Sequence, residues 1–391
     1  MYTAVKPLSK YLQLKSVRIY DGVFTLHAKC TCAILLAFTF LLSSKQYFGD
    51  PVVCISEIPQ KDFVVSHCWT MGMYIIDYDD APLMANLSKT IQSDYKKHIN
   101  TNKEMDENLL NNALGLKEVI GRDRERVFLR YYQWVVPVLM LQSFIFYLPA
   151  FLWKKWEGGR LKNLCANLED ALASNEKALT HLRKLASYFS RDHKESHMRY
   201  FVCYTFCEVC NFVISIINML LLNVFLDNFW SHYVKALAVV PAYNWNEWNR
   251  ITTHIFPKIA KCQILKFGSS GSFEYRDNLC LLPLNTLNEK IFVFLWLWFI
   301  LMAILAGFKL IYRTFVIFHH GLRLQLLRAQ SRFMSKTSIK RAFCGFSCGD
   351  WFILMRVSSN ISPEQFTQLM SLLCTKQCGA EKSVSHSLDT N

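Results

Sequence analysis

The sequence predicts an all-α membrane protein with four transmembrane helices. Two observations predict it. Residues 30–44, 131–153, 200–226 and 291–308 are almost free of charge and are fenced by basic residues, and the basic excess falls unevenly on the segments between them. The hydrocarbon core of a bilayer is about 30 Å thick, so a crossing helix needs roughly 20 apolar residues. The second and third stretches meet that length with room for tilt. The first and fourth are shorter, but Lys29, Lys45, Tyr47 and Phe48 flank one, and Lys290, Lys309 and Tyr312 the other. Those side chains can snorkel or sit at the interface. A core helix of a soluble protein rarely lacks a polar face over so many turns.

An even number of spans puts both termini on one side. The arm 1–29, the loop 154–199 and the tail from residue 313 hold 25 Lys/Arg against 11 Asp/Glu. The loops from 45 to 126 and from 227 to 288 hold 16 against 17. The net charge of +14 therefore gathers on one face, which the positive-inside rule makes cytoplasmic. Arg122, Arg124, Arg126 and Arg130, interleaved with Asp123 and Glu125, crowd the outer end of the second span and run against that count. A basic balance also raises nucleic acid as a partner. Here the basic residues border spans, so anionic membrane lipid is the expected counter-charge, and no nucleic acid is expected.

In order along the chain, the N-terminal arm (1–29) mixes Tyr11, Leu12, Leu14, Val17 and Ile19 with Lys6, Lys10, Lys15 and Arg18. That suits an amphipathic helix starting near Pro7, either lying on the inner leaflet or folded into a pore mouth, and the sequence alone does not separate the two. The first span (30–48) reads as retained rather than as a cleaved signal peptide. Its preceding segment is long, and no small-x-small site follows, only Leu-Leu-Ser-Ser-Lys-Gln-Tyr. The first outer loop (49–129) ends in a polar region with one apolar helical patch, Leu109, Leu110, Ala113, Leu114 and Leu116. Asn86-Leu87-Ser88 is a glycosylation sequon there, so Asn86 is a candidate glycan site.

After the second span (130–153), the cytoplasmic loop (154–199) reads as helix. Leu161, Leu164, Leu168 and Ala171, then Ala178, Leu182, Leu185 and Phe189, recur at three and four in one phase, with polar Asn175 between them as a position that permits a break or bend. His193 and His197 stand one turn apart, as metal ligands would. A diiron oxygenase needs several such boxes, and only His319-His320 is found besides, so a solvated helix face is the expectation. The third span (200–226) carries one acid, Glu208, which is either near the headgroups or paired. Cys203, Cys207 and Cys210 share a face of this span and suit helix packing.

The second outer loop (227–288) leads to the fourth span (289–312) and the tail (313–391). In the tail, Asn360-Ile361-Ser362 is a sequon on the wrong side to be used. Cys344-x3-Cys348 and Cys374-x3-Cys378 have a spacing zinc permits, without a supporting knuckle pattern; reduced or palmitoylated thiols are the expectation. No Gly-rich phosphate loop and no nucleophile beside a base motif is present, so no catalytic residue, metal or cofactor is assigned.

Of the fourteen cysteines, each outer loop holds two: Cys54 and Cys68, then Cys262 and Cys280. Paired counts in an oxidising compartment read as disulfides, and four cysteines allow three connectivities.

Tyr131-Tyr132-Gln133-Trp134 resembles the signature of the innexins, the invertebrate gap-junction family. The likeness continues through Lys45-Gln46-Tyr47-Phe48-Gly49-Asp50-Pro51 leading into Cys54, Cys68-Trp69 with Gly72-Met73-Tyr74, and Phe146-Tyr147-Leu148-Pro149. It extends to Asn288-Glu289-Lys290-Ile291 and Phe294-Leu295-Trp296-Leu297-Trp298-Phe299, and so covers about residues 45–312. Two departures are visible: Val136 stands where the family has Pro, which follows as Pro137, and Ile55 replaces a usual Trp. The signature residues themselves read as a membrane-interface belt.

The resemblance implies a four-helix protomer with a small disulfide-braced α+β extracellular domain and a helical cytoplasmic domain. It implies inter-loop disulfides, Cys54 to Cys280 and Cys68 to Cys262, worth on the order of 4 kcal/mol each in the chain-entropy picture. It also implies eight innexin subunits, identical or mixed, around a wide pore for ions and small molecules. The ring would dock on an apposed hemichannel, with the N-terminal arm as candidate funnel. A pore-free four-span adhesion or scaffold protein and an undocked hemichannel are the alternatives.

Overall fold

The computed structural model describes residues 17–56, 60–76, 126–165, 175–189, 194–226, 228–331, 334–343 and 345–388. Four helices are long and apolar enough to cross a membrane: α1, Gly22–Phe48; α3, Tyr131–Glu157; α6, Lys194–Phe225; and α9, Pro283–Phe318. α1 starts at Gly22, well before the charge-free run, and its Leu26–Cys30 turn is π-helical. α9 runs past Lys290 and Lys309 at its two ends. Hydropathy truncates these helices because polar side chains occupy their ends, and the structure buries several of those side chains in pairs.

The chain divides into two compact units, and every span contributes part of its length to each. The sheet unit takes Leu35–Gln142 and Asn218–Trp298; the helical unit takes Met1–Ile34, Ser143–Ile217 and Phe299–Asn391.

The sheet unit is built on five antiparallel strands in the order β1-β5-β4-β2-β3: Val53–Ile55, Met73–Ile76, Arg126–Leu129, Ile259–Phe267 and Phe273–Leu281 in chain order. β4 and β5 form a hairpin in full register from Ile259↔Leu281 to Phe267↔Phe273. Its tip turns at Gly271, whose φ of 76° favours glycine. The three short strands of the first outer segment bracket this hairpin, so one sheet is woven from both loops. Ala260, Cys262 and Ile264 alternate inward along β4. They pack on Val64 and Cys68 of α2, Lys61–Met71, and on Met73 and Leu129. α7, Phe229–Val239, and α8, Trp245–Ile255, add an aromatic cluster in which Phe229, Tyr233 and Phe256 meet Phe292 and Trp296 of α9.

The helical unit adds α4, Arg160–Cys165; α5, Asn175–Tyr188; α10, His320–Gln330; α11, Lys336–Ala342; α12, Cys348–Ser358; and α13, Pro363–Leu388. Residues 166–174, which precede α5 and border the position read as a possible bend, lie outside the described residues. Leu161, Leu182, Leu185, Phe189, Leu327 and Leu369 share the core. α12 opens with a reciprocal capping box, Ser347 and Asp350, which satisfies orphan amides of its first turn.

Candidate functional site

In the sheet unit, Cys54 lies on β1 directly opposite Cys280 on β5, with their Cα atoms 4.0 Å apart, and the two are bonded. Cys68 on α2 is bonded to Cys262 on β4, with a Cα separation of 5.6 Å. One staple therefore holds an edge strand, and the other pins the helix to the centre of the sheet. Each joins the first outer segment to the second, across 226 and 194 residues of chain.

The signature tetrapeptide opens α3 and grips the far end of α2. The Tyr132 hydroxyl donates to the Trp69 carbonyl at 3.3 Å, and Gln133 Nε2 donates to the same oxygen at 2.6 Å and to the Thr70 carbonyl at 3.3 Å. Trp69 and Tyr132 also pack their rings at 4.7 Å. The last carbonyls of any α-helix lack partners within it, so these residues finish the helix that carries Cys68. Trp134 is 62% exposed, whereas Tyr132 is buried. The sequence shows a polar aromatic run but not the helix end that Tyr132 and Gln133 cap.

Glu289, within the Asn288-Glu289-Lys290-Ile291 motif, is 1% exposed. It accepts from Trp248 Nε1 at 3.1 Å and pairs with Lys290 at 2.9 Å and Lys258 at 3.9 Å. A buried carboxylate persists only when paired. Here the pairing ties α8 and the foot of β4 to the first turns of α9.

In the helical unit, the residues preceding α1 are held on several sides. Trp153 Nε1 donates to the Ile19 carbonyl at 3.2 Å, and the Tyr20 hydroxyl to the Ala150 carbonyl at 3.0 Å. Asn360 accepts from the Arg18 amide at 2.6 Å and donates to the Arg18 carbonyl at 3.3 Å, so the tail sequon's amide is a structural clasp. Asp21, at the N-cap of α1, pairs with Arg356, with Lys309 at 2.9 Å and with Arg313 at 3.7 Å. Burial alone would push the Asp21 carboxyl up; Arg356 and Lys309 outweigh it and hold the carboxyl below its usual range. Arg313 also grips Glu208 through two bonds, 2.8 and 2.7 Å. Of the two readings of Glu208, the paired one is what the structure shows. The guanidinium of Arg356 lies over Tyr204 and Phe352 at 4.5 and 5.0 Å.

His197 corrects an expectation. It is 0% exposed, not on a solvated face, and its Nδ1 stands 2.5 Å from Asp350 Oδ1. α12 approaches α6 so closely here that a Cβ on Gly349 would lie 2.5 Å from the His197 carbonyl oxygen. Burial raises the Asp350 carboxyl, but the bonds from His197 and Ser347 outweigh it and hold it below the usual range. The signals were present in the sequence, as Ser347-x-x-Asp350 and as a glycine beside an acid, but nothing there pointed to His197.

Asn86, the arm 1–16, the apolar patch near Leu109, His193 and Cys344 lie outside the described residues. Among those described, the sulfurs grouped closely enough for a metal are Cys54, Cys68 and Cys280, all consumed in disulfides.

These features define a four-span membrane protein whose outer segments are stapled to one another and whose N-terminal root is locked by buried charge. A family model described as Innexin matches residues 20–377. The chain is 50% identical over 377 residues to Innexin inx4 of Drosophila melanogaster, covering 96% of this chain and 97% of that one. It is 36% identical to Innexin inx4 of Anopheles gambiae, covering 93% and 89%. Against Innexin shaking-B of Drosophila melanogaster the identity is 30%, covering 96% and 95%. The chain belongs to the innexin family. Innexins are subunits of gap-junction channels, and this chain is such a subunit, a multi-pass protein of the plasma membrane.

Proposed function

We propose that eight copies of this chain, alone or mixed with other innexin subunits, surround a wide pore for ions and small molecules. The ring docks on a second ring in the neighbouring cell. Both termini are cytoplasmic in this reading, the stapled sheet is extracellular, and membrane lipid surrounds the spans. No catalytic step, cofactor or metal takes part. The observation that carries the reading is the weaving of both outer segments into one cross-linked sheet, since a docking face needs two loops held as one block. Imaging the purified particle along its symmetry axis tests the assembly: eight subunits are expected, and a different count, or no ring, overturns it.

Two finer parts of the reading have their own tests. The arm enters or borders the pore, because residues 17–21, through which it joins α1, are clasped by Trp153, Asn360 and Arg356. Deleting Tyr2 to Tyr11 is expected to change conductance or ion preference while rings still assemble; unchanged currents place the arm on the membrane instead. Asn86 carries a glycan that faces sideways. Asn86→Gln is expected to remove one glycan's mass and leave cell-to-cell dye transfer nearly unchanged.

A further inference from the structure

The two disulfides of the sheet unit are neighbours as well as staples. The sulfurs of Cys54, Cys68 and Cys280 all lie within 4.8 Å of one another. They are not equally accessible: Cys54 is 9% exposed, whereas Cys68, Cys262 and Cys280 are 0%, 1% and 0%. Thiol–disulfide exchange proceeds by attack of a thiolate on one sulfur, and access decides which sulfur is attacked. A small thiol from outside therefore meets Cys54 first.

We propose that the two disulfides form an exchange pair, in which a small extracellular thiol attacking Cys54 moves the bond of Cys68 from Cys262 to Cys280. In the first step the incoming thiolate bonds to Cys54 Sγ, the Cys54–Cys280 bond breaks, and Cys280 leaves as the thiolate. That sulfur is buried beside Cys68. In the second step Cys280 Sγ bonds to Cys68 Sγ, the Cys68–Cys262 bond breaks, and Cys262 leaves as the thiolate and takes a proton from water. Each step trades one S–S bond for another, and the small thiol, retained as a mixed disulfide on Cys54, is the only co-reactant. No oxidant or reductant beyond it is needed.

The displacement required is short. Cys262 and Cys280 sit on adjacent strands whose register pairs Cys262 with Asn278 and Ala260 with Cys280. Moving the staple of α2 from β4 to β5 shifts it by one strand. The outcome is a sheet whose edge strand β1 has lost its covalent tie, whose α2 is held by β5, and whose central strand carries a free thiol. The mixed disulfide on Cys54 adds a polar adduct at the least buried of the four cysteines. This makes Cys54 a modification site for small thiols on the outer side.

The test uses the full-length particle purified without reductant. It is incubated with reduced glutathione at mildly alkaline pH, quenched with N-ethylmaleimide and mapped as non-reduced peptides. The expected products are glutathione on Cys54, a Cys68–Cys280 cross-link and maleimide on Cys262. Maleimide on Cys280 with Cys68–Cys262 intact overturns the proposal, and so does the absence of any glutathione adduct on Cys54. A second arm uses Cys54→Ser, which frees Cys280 without added thiol. It is expected to contain the Cys68–Cys280 cross-link and label at Cys262; a retained Cys68–Cys262 bond with Cys280 labelled overturns the exchange. Should that variant not fold, the glutathione map of the unaltered protein decides alone.

Discussion

The two units of this chain are fastened by different chemistry. Every disulfide among the described residues lies in the sheet unit, joining strands and helix across 226 and 194 residues. Every described free cysteine, from Cys30 to Cys374, lies in the helical unit. There the long-range fastenings are ion pairs, Asp21 with Lys309 and Arg356 and Glu208 with Arg313, and hydrogen bonds, Asp350 with His197 and Asn360 with Arg18. Disulfides persist where the compartment is oxidising and thiols where it is reducing. A protein exposed to both sides of a membrane must solve the same problem, tying residues far apart in sequence, with whichever bond each side allows. The ionic solution has a property the covalent one lacks, since a buried pair is costly when half of it is removed but not when both halves are replaced.

That asymmetry is the sharpest way to break the comparison. Arg313→Met leaves Glu208 buried without its bidentate partner and is expected to destabilise the helical unit by about 3–5 kcal/mol. Adding Glu208→Leu to it should restore much of the loss, with Asp21 still held by Lys309 and Arg356. Thermal unfolding of the single and double variants measures the recovery; a double variant as weak as the single one would refute the account. In the sheet unit the paired change Cys68→Ser with Cys262→Ser removes a staple without leaving a thiol, at an expected cost of about 2–5 kcal/mol. No apolar substitution rescues that loss, because the missing quantity is a cross-link. Limited proteolysis should show new cuts in the sheet unit while the helical unit's peptides stay protected.

A smaller break lies where α12 crosses α6. Gly349→Ala drives a methyl group into the His197 backbone, and overpacking of this kind costs about 1–3 kcal/mol. Hydrogen exchange in Cys348–Ser358 should quicken, with β4 and β5 unchanged. Acid sharpens the same contrast. Asp350 and Asp21 have carboxyls held below the unfolded value of about 3.9. Their stabilisation is therefore fully present above that pH and is lost as pH falls through the lower, folded values. The helical unit should keep these fastenings from neutrality down to about pH 4 and weaken below it, while the disulfides, which do not titrate, hold throughout. Asp350→Asn should flatten the acid limb, read by circular dichroism of the purified protein.

How much of this was legible follows from what kind of signal each feature leaves. Spans leave long uncharged runs, and four were readable, while the helices that carry them run on past those runs into charged turns, through Glu289 and Lys290 at one end of α9 and Lys309 and Arg313 at the other. The outer cysteines could be counted, but three connectivities were open until the family resemblance narrowed them. The strands were not readable as such. β1 to β3 are three or four residues each, too short to show a period; β1 and β2 pair with strands of the other loop, and β3 pairs with β2 about fifty residues back. The Asp21 hub and the His197–Asp350 pair were invisible for a related reason. The His197–Asp350 pair joins residues 153 positions apart, and Asp21 meets Lys309, Arg313 and Arg356 from far along the chain, so neither leaves a local pattern. The signature was the reverse case, conspicuous in sequence while its task at the end of α2 was not.

That task can be measured, and it gives the smallest expected effect. Gln133→Leu removes two hydrogen bonds to the end of α2, at 2.6 and 3.3 Å. The Thr70 carbonyl is at an exposed site, where water can replace the lost donor. The Trp69 carbonyl keeps the Tyr132 hydroxyl. Neither acceptor is orphaned, so the loss should be that of an ordinary hydrogen bond, about 0.5–1.5 kcal/mol. Tyr132→Phe alone should be equally mild, since Gln133 then still serves Trp69. Together the two changes strip that carbonyl of both donors. The loss should then exceed the sum of the single effects by at least about 0.5 kcal/mol, as coupled neighbours do. A double-mutant cycle on thermal stability reads this directly. Strict additivity would mean that Tyr132 and Gln133 do not share the end of α2, and that the interfacial belt is their role after all.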